Sequence, residues 1–193
     1  GMGKTRLAAE FLRSLDRSAC RVVYARCQSH RQHTPYVPLV DLLQRWWSIE
    51  EADTVAAIAA KAGDALHAAQ MPADAAGAHL LRLLGAAVDP LHARTCSPQE
   101  LRAQTFAALH AMFDHYSQQQ PLVMLIEDLH WIDATSEAYL GALASRLTAR
   151  RLLLLVTFRP GYRPAWPTQS IYTQLALAPL ADEESRALVR ATR

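Results

Sequence analysis

Pro121-Leu122-Val123-Met124-Leu125-Ile126-Glu127-Asp128-Leu129-His130-Trp131-Ile132-Asp133 carries the reading of this chain. An apolar run this short, bounded by proline on one side and charge on the other, fits a strand buried on both faces of a parallel sheet. Glu127 and Asp128 then stand side by side at its C-terminal end. That is where open α/β sheets bind their ligands.

Upstream, Gly1-Met2-Gly3-Lys4-Thr5 leads into the helical pattern Arg6-Leu7-Ala8-Ala9-Glu10-Phe11-Leu12. It matches the end of the phosphate-loop pattern G-x-x-x-x-G-K-S/T. The first glycine of that pattern would precede residue 1, as would the strand feeding the loop. The chain is therefore expected to be a fragment with its first strand missing. A triphosphate needs many N–H donors at close range, and glycine lets the backbone wrap it without Cβ interference. The following helix adds free N–H groups and the positive end of its dipole. Gly1, Met2, Gly3, Lys4, Thr5 and Arg6 form the candidate nucleotide cradle. In it Lys4 reaches the β- and γ-phosphates and Thr5 places its hydroxyl on Mg²⁺. With this loop upstream, residues 121–133 read as a Walker B element. One carboxylate holds the magnesium shell and its neighbour orients or polarises the attacking water.

A third element, Arg151-Leu152-Leu153-Leu154-Leu155-Val156-Thr157-Phe158-Arg159-Pro160, reads as another buried strand stopped by proline. Its C-terminal end is expected near the Walker B end, where Arg159, a permanently charged planar fork, could sense or neutralise the γ-phosphate. The chain contains no asparagine, which excludes an N-K-x-D guanine-reading motif and favours ATP over GTP.

Gly-Met-Gly-Lys-Thr-Arg-Leu at 1–7, Leu-Ile-Glu-Asp-Leu-His-Trp-Ile-Asp at 125–133, Thr-Phe-Arg-Pro at 157–160 and the stretch 175–189 together resemble an AAA/STAND-type signalling ATPase. Ala25-Arg26-Cys27 through Pro35-Tyr36-Val37-Pro38-Leu39 resembles the segment after the second strand in that group. Such modules occur in bacterial multidomain regulators, joined to nucleotide-cyclase, protein-kinase or LuxR-type DNA-binding domains and to helical repeats. The resemblance implies ATP and Mg²⁺ as ligands. It implies Gly1, Gly3, Lys4 and Thr5 for phosphate and metal, and Glu127 for the magnesium shell through water. It also implies Asp128 for water activation and Arg159 as the sensor at the end of the fourth strand. The commoner Walker B order is Asp then Glu; here it is Glu127 then Asp128, which leaves the division of labour between the two carboxylates open. The implied function is ATP binding with slow Mg-dependent hydrolysis, a nucleotide-driven switch in a larger signalling or transcription-regulatory protein. A replication-initiator-like AAA ATPase, a P-loop small-molecule kinase and a non-hydrolysing scaffold are the alternatives. Partners are other domains of the same polypeptide, with self-association open.

Composition narrows the class. The chain has 193 residues, 51% hydrophobic and 20% charged, with a formal net charge of +2. That suits one globular domain. No dense basic run argues for direct nucleic-acid contact. Three cysteines fit a reduced cytoplasmic setting rather than a disulfide scaffold. No apolar run approaches the roughly 20 residues of a membrane helix.

The expected order starts with a helix over 4–15, with Leu7, Phe11, Leu12 and Leu15 on one face, and a strand over 21–27. A loop holding Pro35 and Pro38 leads to a helix near 39–48 with Trp46 and Trp47. The Ala-rich stretch at about 50–96 reads as a helical insertion. Ser97-Pro98-Gln99-Glu100 is a capping box starting a helix to about Ser117. A helix over about 135–149 precedes the Arg159 strand, Tyr172–Ala178 is the last strand, and a helix starts at Asp182. This order gives a three-layer α/β P-loop NTPase core, ASCE/AAA-like, with a parallel sheet flanked by helices. The core is expected over 1–180, and 181–193 opens a lid or helical domain. The missing first strand is expected at the centre of the sheet, between the Walker B and Arg159 strands. Cys27-x-x-His30-x-x-His33 has metal-like composition but no second ligand pair, and is read as a polar loop. The Trp46-Trp47 pair reads as packing, and His130-Trp131 as a polar contact and an apolar anchor beside the site. Arg146, Arg150 and Arg151 read either as a finger toward a neighbouring subunit or as helix-end charges.

Overall fold

A computed structural model describes residues 3–68, 71, 75–86, 96–166 and 172–178. Three strands form a parallel sheet: β1 (Arg21–Arg26), β2 (Leu122–Glu127) and β3 (Leu152–Val156), in the order β1-β2-β3. Helices α1 (Lys4–Ser14), α2 (Val37–Trp46), α3 (Val55–Ala68), α4 (Ala75–Leu83), α5 (Pro98–Gln119) and α6 (Ala134–Ala144) alternate with them. The arrangement is the expected α/β one, a parallel sheet flanked by helices.

Every residue of β2 is buried, which is why its sequence is an unbroken apolar run rather than an alternation. β1 and β3 lie on either side of it, with Arg26 in register with Glu127 and Ile126 with Val156. The core continues from the sheet into α2 and α5 through Leu39, Leu42, Leu109, Met112 and Phe113, each no more than 1% exposed. Trp46 belongs to this packing: it stacks on Phe113 at 6.0 Å and lies 4.3 Å from Tyr116. The Ala-rich stretch supplies α3 and α4. Tyr116 ties α5 to α3 by donating its hydroxyl to the Ala65 carbonyl at 3.0 Å, and α4 packs along α5.

The expected capping box forms, and Asp133 adds a second cap. Ser97 accepts from the Glu100 amide while the Glu100 carboxylate accepts from the Ser97 amide, which starts α5. Asp133 caps α6 through the Thr135 and Ser136 amides. Asp114 on α5 pairs with Arg146 at 3.7 Å and Arg150 at 2.5 Å, and Arg151 donates to the Ser117 and Gln118 carbonyls. These arginines fasten the approach to β3 onto α5, so contacts within the chain already engage them.

Three expectations change. β2 and β3 are hydrogen-bonded directly to each other, and neighbouring strands lie only about 4.8 Å apart. No strand fits between them. Tyr172–Ala178 is not a strand; the segment has no regular structure, and Leu175 is 76% exposed. A strand exists only as part of a ladder, and none of the described strands pairs with it. The helix expected over 135–149 stops at Ala144, and a separate single turn follows at Leu147–Ala149. Gly1, Met2 and the helix expected from Asp182 lie outside the described residues, as does the proposed 181–193 boundary.

Helix α1 buries none of its residues. Of the apolar face read from Leu7, Phe11, Leu12 and Leu15, Leu15 lies just past the helix end with an extended backbone, and Leu7 is 50% and Phe11 36% exposed. Leu153 on β3 is 44% exposed.

Candidate functional site

The site is built at the C-terminal end of β2, where the chain changes direction within one residue. Asp128 adopts the left-handed conformation, φ 54° and ψ 42°. Such a backbone is uncommon outside glycine, and Asp and Asn tolerate it better than bulkier residues. Thr157, just past β3, holds it in place. Its hydroxyl oxygen accepts from the Asp128 amide at 3.1 Å, its carbonyl accepts from the Leu129 amide at 2.8 Å, and its own amide donates to Ile126 at 3.1 Å. Glu127 therefore finishes the strand, and Asp128 leaves it at the following turn.

β1 supplies a partner to each carboxylate. Tyr24 and Arg26 are two residues apart on an extended strand, so they project from the same side of the sheet. Tyr24 donates its hydroxyl to Glu127 Oε2 at 2.7 Å. Arg26 donates to Asp128 Oδ2 through Nε at 2.9 Å and approaches it through a terminal nitrogen at 2.8 Å. Burial, reinforced by the bond to Glu127, pushes the Tyr24 phenol up to about 12, so it remains a donor at neutral pH. The hydrogen bond to Asp128 holds the Arg26 guanidinium pKa above its ordinary value.

Glu127 is only 4% exposed and its second oxygen, Oε1, is buried without a partner. A buried carboxylate oxygen left unmade is costly and needs a donor or a cation. At the start of α1, Gly3 has φ 77°, and a Cβ added there would meet nothing within 4 Å. The first helical bond runs from Leu7 to the Gly3 carbonyl, and no side chain caps this end. Amides in the first turn are thus free to bind an anion. Lys4 is half-buried, whereas Thr5 and Arg6 are exposed. Free amides, one lysine, a threonine hydroxyl and a buried carboxylate oxygen form a hard-oxygen and anion-binding set that suits a magnesium nucleotide. When bound, that group would supply the polarised phosphoryl centre and its metal charge.

His130 lies on the single turn Leu129–Trp131, its ring 4.9 Å from Trp131. Burial, aided by Arg159 and Lys4 and opposed by Asp128, lowers its pKa. Arg159 is exposed, with its guanidinium carbon 5.8 Å from the centre of the Trp131 ring. Lys4, Asp128 and Arg159, far apart in sequence, all act electrostatically on this one ring. Among the described residues no group of three His, Cys, Asp or Glu side chains is arranged to hold a metal. Burial, with Asp133, Asp128 and Asp41 nearby, pushes the Cys27 thiol up to about 12.

Tyr24, Arg26 and Thr157 were absent from the sequence reading of the site. One signal was available: Tyr24 and Arg26 are polar residues two apart in a short strand, so both project from one face of the sheet.

A family model described as "AAA ATPase domain" matches residues 1–156. The chain belongs to the AAA ATPase domain family. This AAA domain is also 30% identical, over 195 aligned residues, to an uncharacterized protein of Rhizobium meliloti (strain 1021). The alignment covers 99% of this chain but only 18% of that relative. No solved structure matches it significantly. Among the described residues no helix is long and apolar enough to cross a membrane.

Proposed function

We propose that this AAA domain binds ATP with Mg²⁺ and hydrolyses it slowly, acting as a nucleotide-driven switch within a larger cytoplasmic signalling or transcription-regulatory protein. The observation that carries the reading is Glu127: a buried carboxylate at the end of the central strand, oriented by Tyr24 through one oxygen, with the other unpaired. Backbone amides of Gly1 to Arg6 and the Lys4 ammonium hold the phosphates. Thr5 and, through water, Glu127 hold the metal. Asp128 orients the attacking water, and Arg159 neutralises charge that develops on the terminal phosphate. Slow turnover is supported by Arg26, which already engages one oxygen of Asp128. The great length of the relative supports further domains as the switch's partners.

The test uses the full-length protein. Lys4→Ala should abolish MgATP binding measured by calorimetry, and unchanged affinity would sink the loop assignment. Asp128→Ala should keep MgATP binding and lose turnover. If Glu127→Ala alone stops turnover while MgATP still binds, the two carboxylates have exchanged roles.

A further inference from the structure

Among the described residues His130 has no hydrogen-bonding role. Both ring nitrogens, Nδ1 and Nε2, are buried without a partner, although a neutral imidazole carries one donor and one acceptor. Its described neighbour is an aromatic ring, that of Trp131, tilted 46° at 4.9 Å. Buried polar groups left unmade are rare enough in folded proteins to call for a reason. The surroundings supply one. The charges acting on the ring come from the turn after β2, the loop after β3 and the start of α1, through Asp128, Arg159 and Lys4. Two of the three are cationic, and an anion between them would be the natural partner of an imidazole N–H.

We propose that His130 contacts the terminal phosphate of a bound nucleoside triphosphate, donating a ring N–H to a phosphate oxygen so that the site distinguishes triphosphate from diphosphate. This rests on the Mg·ATP reading of the site given above. Both nitrogens are sheltered, so the ring must turn to make the contact. Turning breaks no hydrogen bond, because neither nitrogen has one.

The experiment compares the full-length wild type with His130→Ala and His130→Gln. Affinities are measured for MgADP and for a magnesium complex of a non-hydrolysable ATP analogue. In parallel, the ¹⁵N shifts of the His130 ring are recorded in both complexes. His130→Ala should weaken the triphosphate analogue about tenfold, the size of one hydrogen bond to a charged group, and leave MgADP within about twofold. His130→Gln, which keeps a donor, should recover part of the loss. The ring shifts should differ between the two complexes. Equal weakening of both nucleotides, or no change in either, overturns the proposal. If the alanine variant fails to fold, the glutamine variant and the wild-type ring shifts decide. Wild-type protein that binds neither nucleotide, or that is indifferent to Lys4→Ala, would bring down the Mg·ATP reading itself. That outcome is separate from loss of discrimination at His130.

Discussion

Tyr24 and Glu127, 103 residues apart in the chain, meet through a 2.7 Å hydrogen bond between the phenolic hydroxyl and one carboxylate oxygen. The bond leaves Glu127 Oε1 buried and unpaired. It follows that Tyr24→Phe removes an orienting contact without opening a cavity. Turnover should fall about tenfold, since hydrogen bonds to charged groups contribute roughly 1.5–3 kcal/mol. Thermal stability should fall as well, by about 1–3 kcal/mol, because the buried Oε2 loses its donor. Steady-state ATPase assays beside melting curves check this, and a turnover equal to wild type would show that Tyr24 does not orient the carboxylate.

Arg26 and Asp128 form an ion pair whose side chains are 56% and 26% exposed. Exposed pairs contribute only about 0–1 kcal/mol to stability, so Arg26→Ala should leave the denaturation midpoint nearly unchanged. Its effect should appear in turnover. Freeing the Asp128 oxygen for water should raise the rate a fewfold, by about 2–5 times if the gain is under 1 kcal/mol. A fall in rate would mean that Arg26 holds Asp128 in its working orientation.

Asp133 serves two segments at once. One oxygen accepts from the Thr135 and Ser136 amides at the start of α6 and from the Tyr36 amide at the start of α2. Loss of a cap alone costs about 1 kcal/mol, and the stranded buried amides add to it. Asp133→Ala should therefore destabilise the protein by about 2 kcal/mol in urea titration, and Asp133→Asn by less. An Asp133→Ala loss well below 1 kcal/mol would show that the inter-segment bond contributes nothing.

Cys27 is buried, and its thiol is pushed from 9.0 up to about 12. The folded state binds this proton more tightly than the unfolded chain. The stability it contributes is present below pH 9 and is lost as pH rises from 9 toward 12. Because the thiolate is the reactive form, iodoacetamide at pH 8 should label the partly exposed Cys20 well before Cys27. Unfolding should remove the difference. Mass spectrometry of the labelled peptides reads this, and equal labelling in the folded protein would contradict the burial.

Much of the fold was legible because its signals are short-range. The apolar run of β2, the capping box at Ser97 and the glycine at the start of α1 each follow from adjacent residues. Failures came where a feature depends on a distant partner. Tyr172–Ala178 was expected as the last strand but lacks a ladder among the described residues. The order of strands in the sheet cannot be read from spacing either, and the direct pairing of β2 with β3 overturned the expected gap between them.

The candidate site divides the same way. Contiguous motifs alone specified which chemical groups stand at the end of β2 and the start of α1: two adjacent carboxylates, a lysine, a threonine and a glycine. They also determined the family. Only the tertiary structure decided how the carboxylates are held, because the register of β1 against β2 brings Tyr24 and Arg26 to Glu127 and Asp128. Likewise, only the β2–β3 pairing brings Thr157 to the left-handed turn at Asp128. Hydrogen bonds act over about 3 Å, and proximity on that scale between residues far apart in the chain is set by sheet register and packing, which no local pattern encodes.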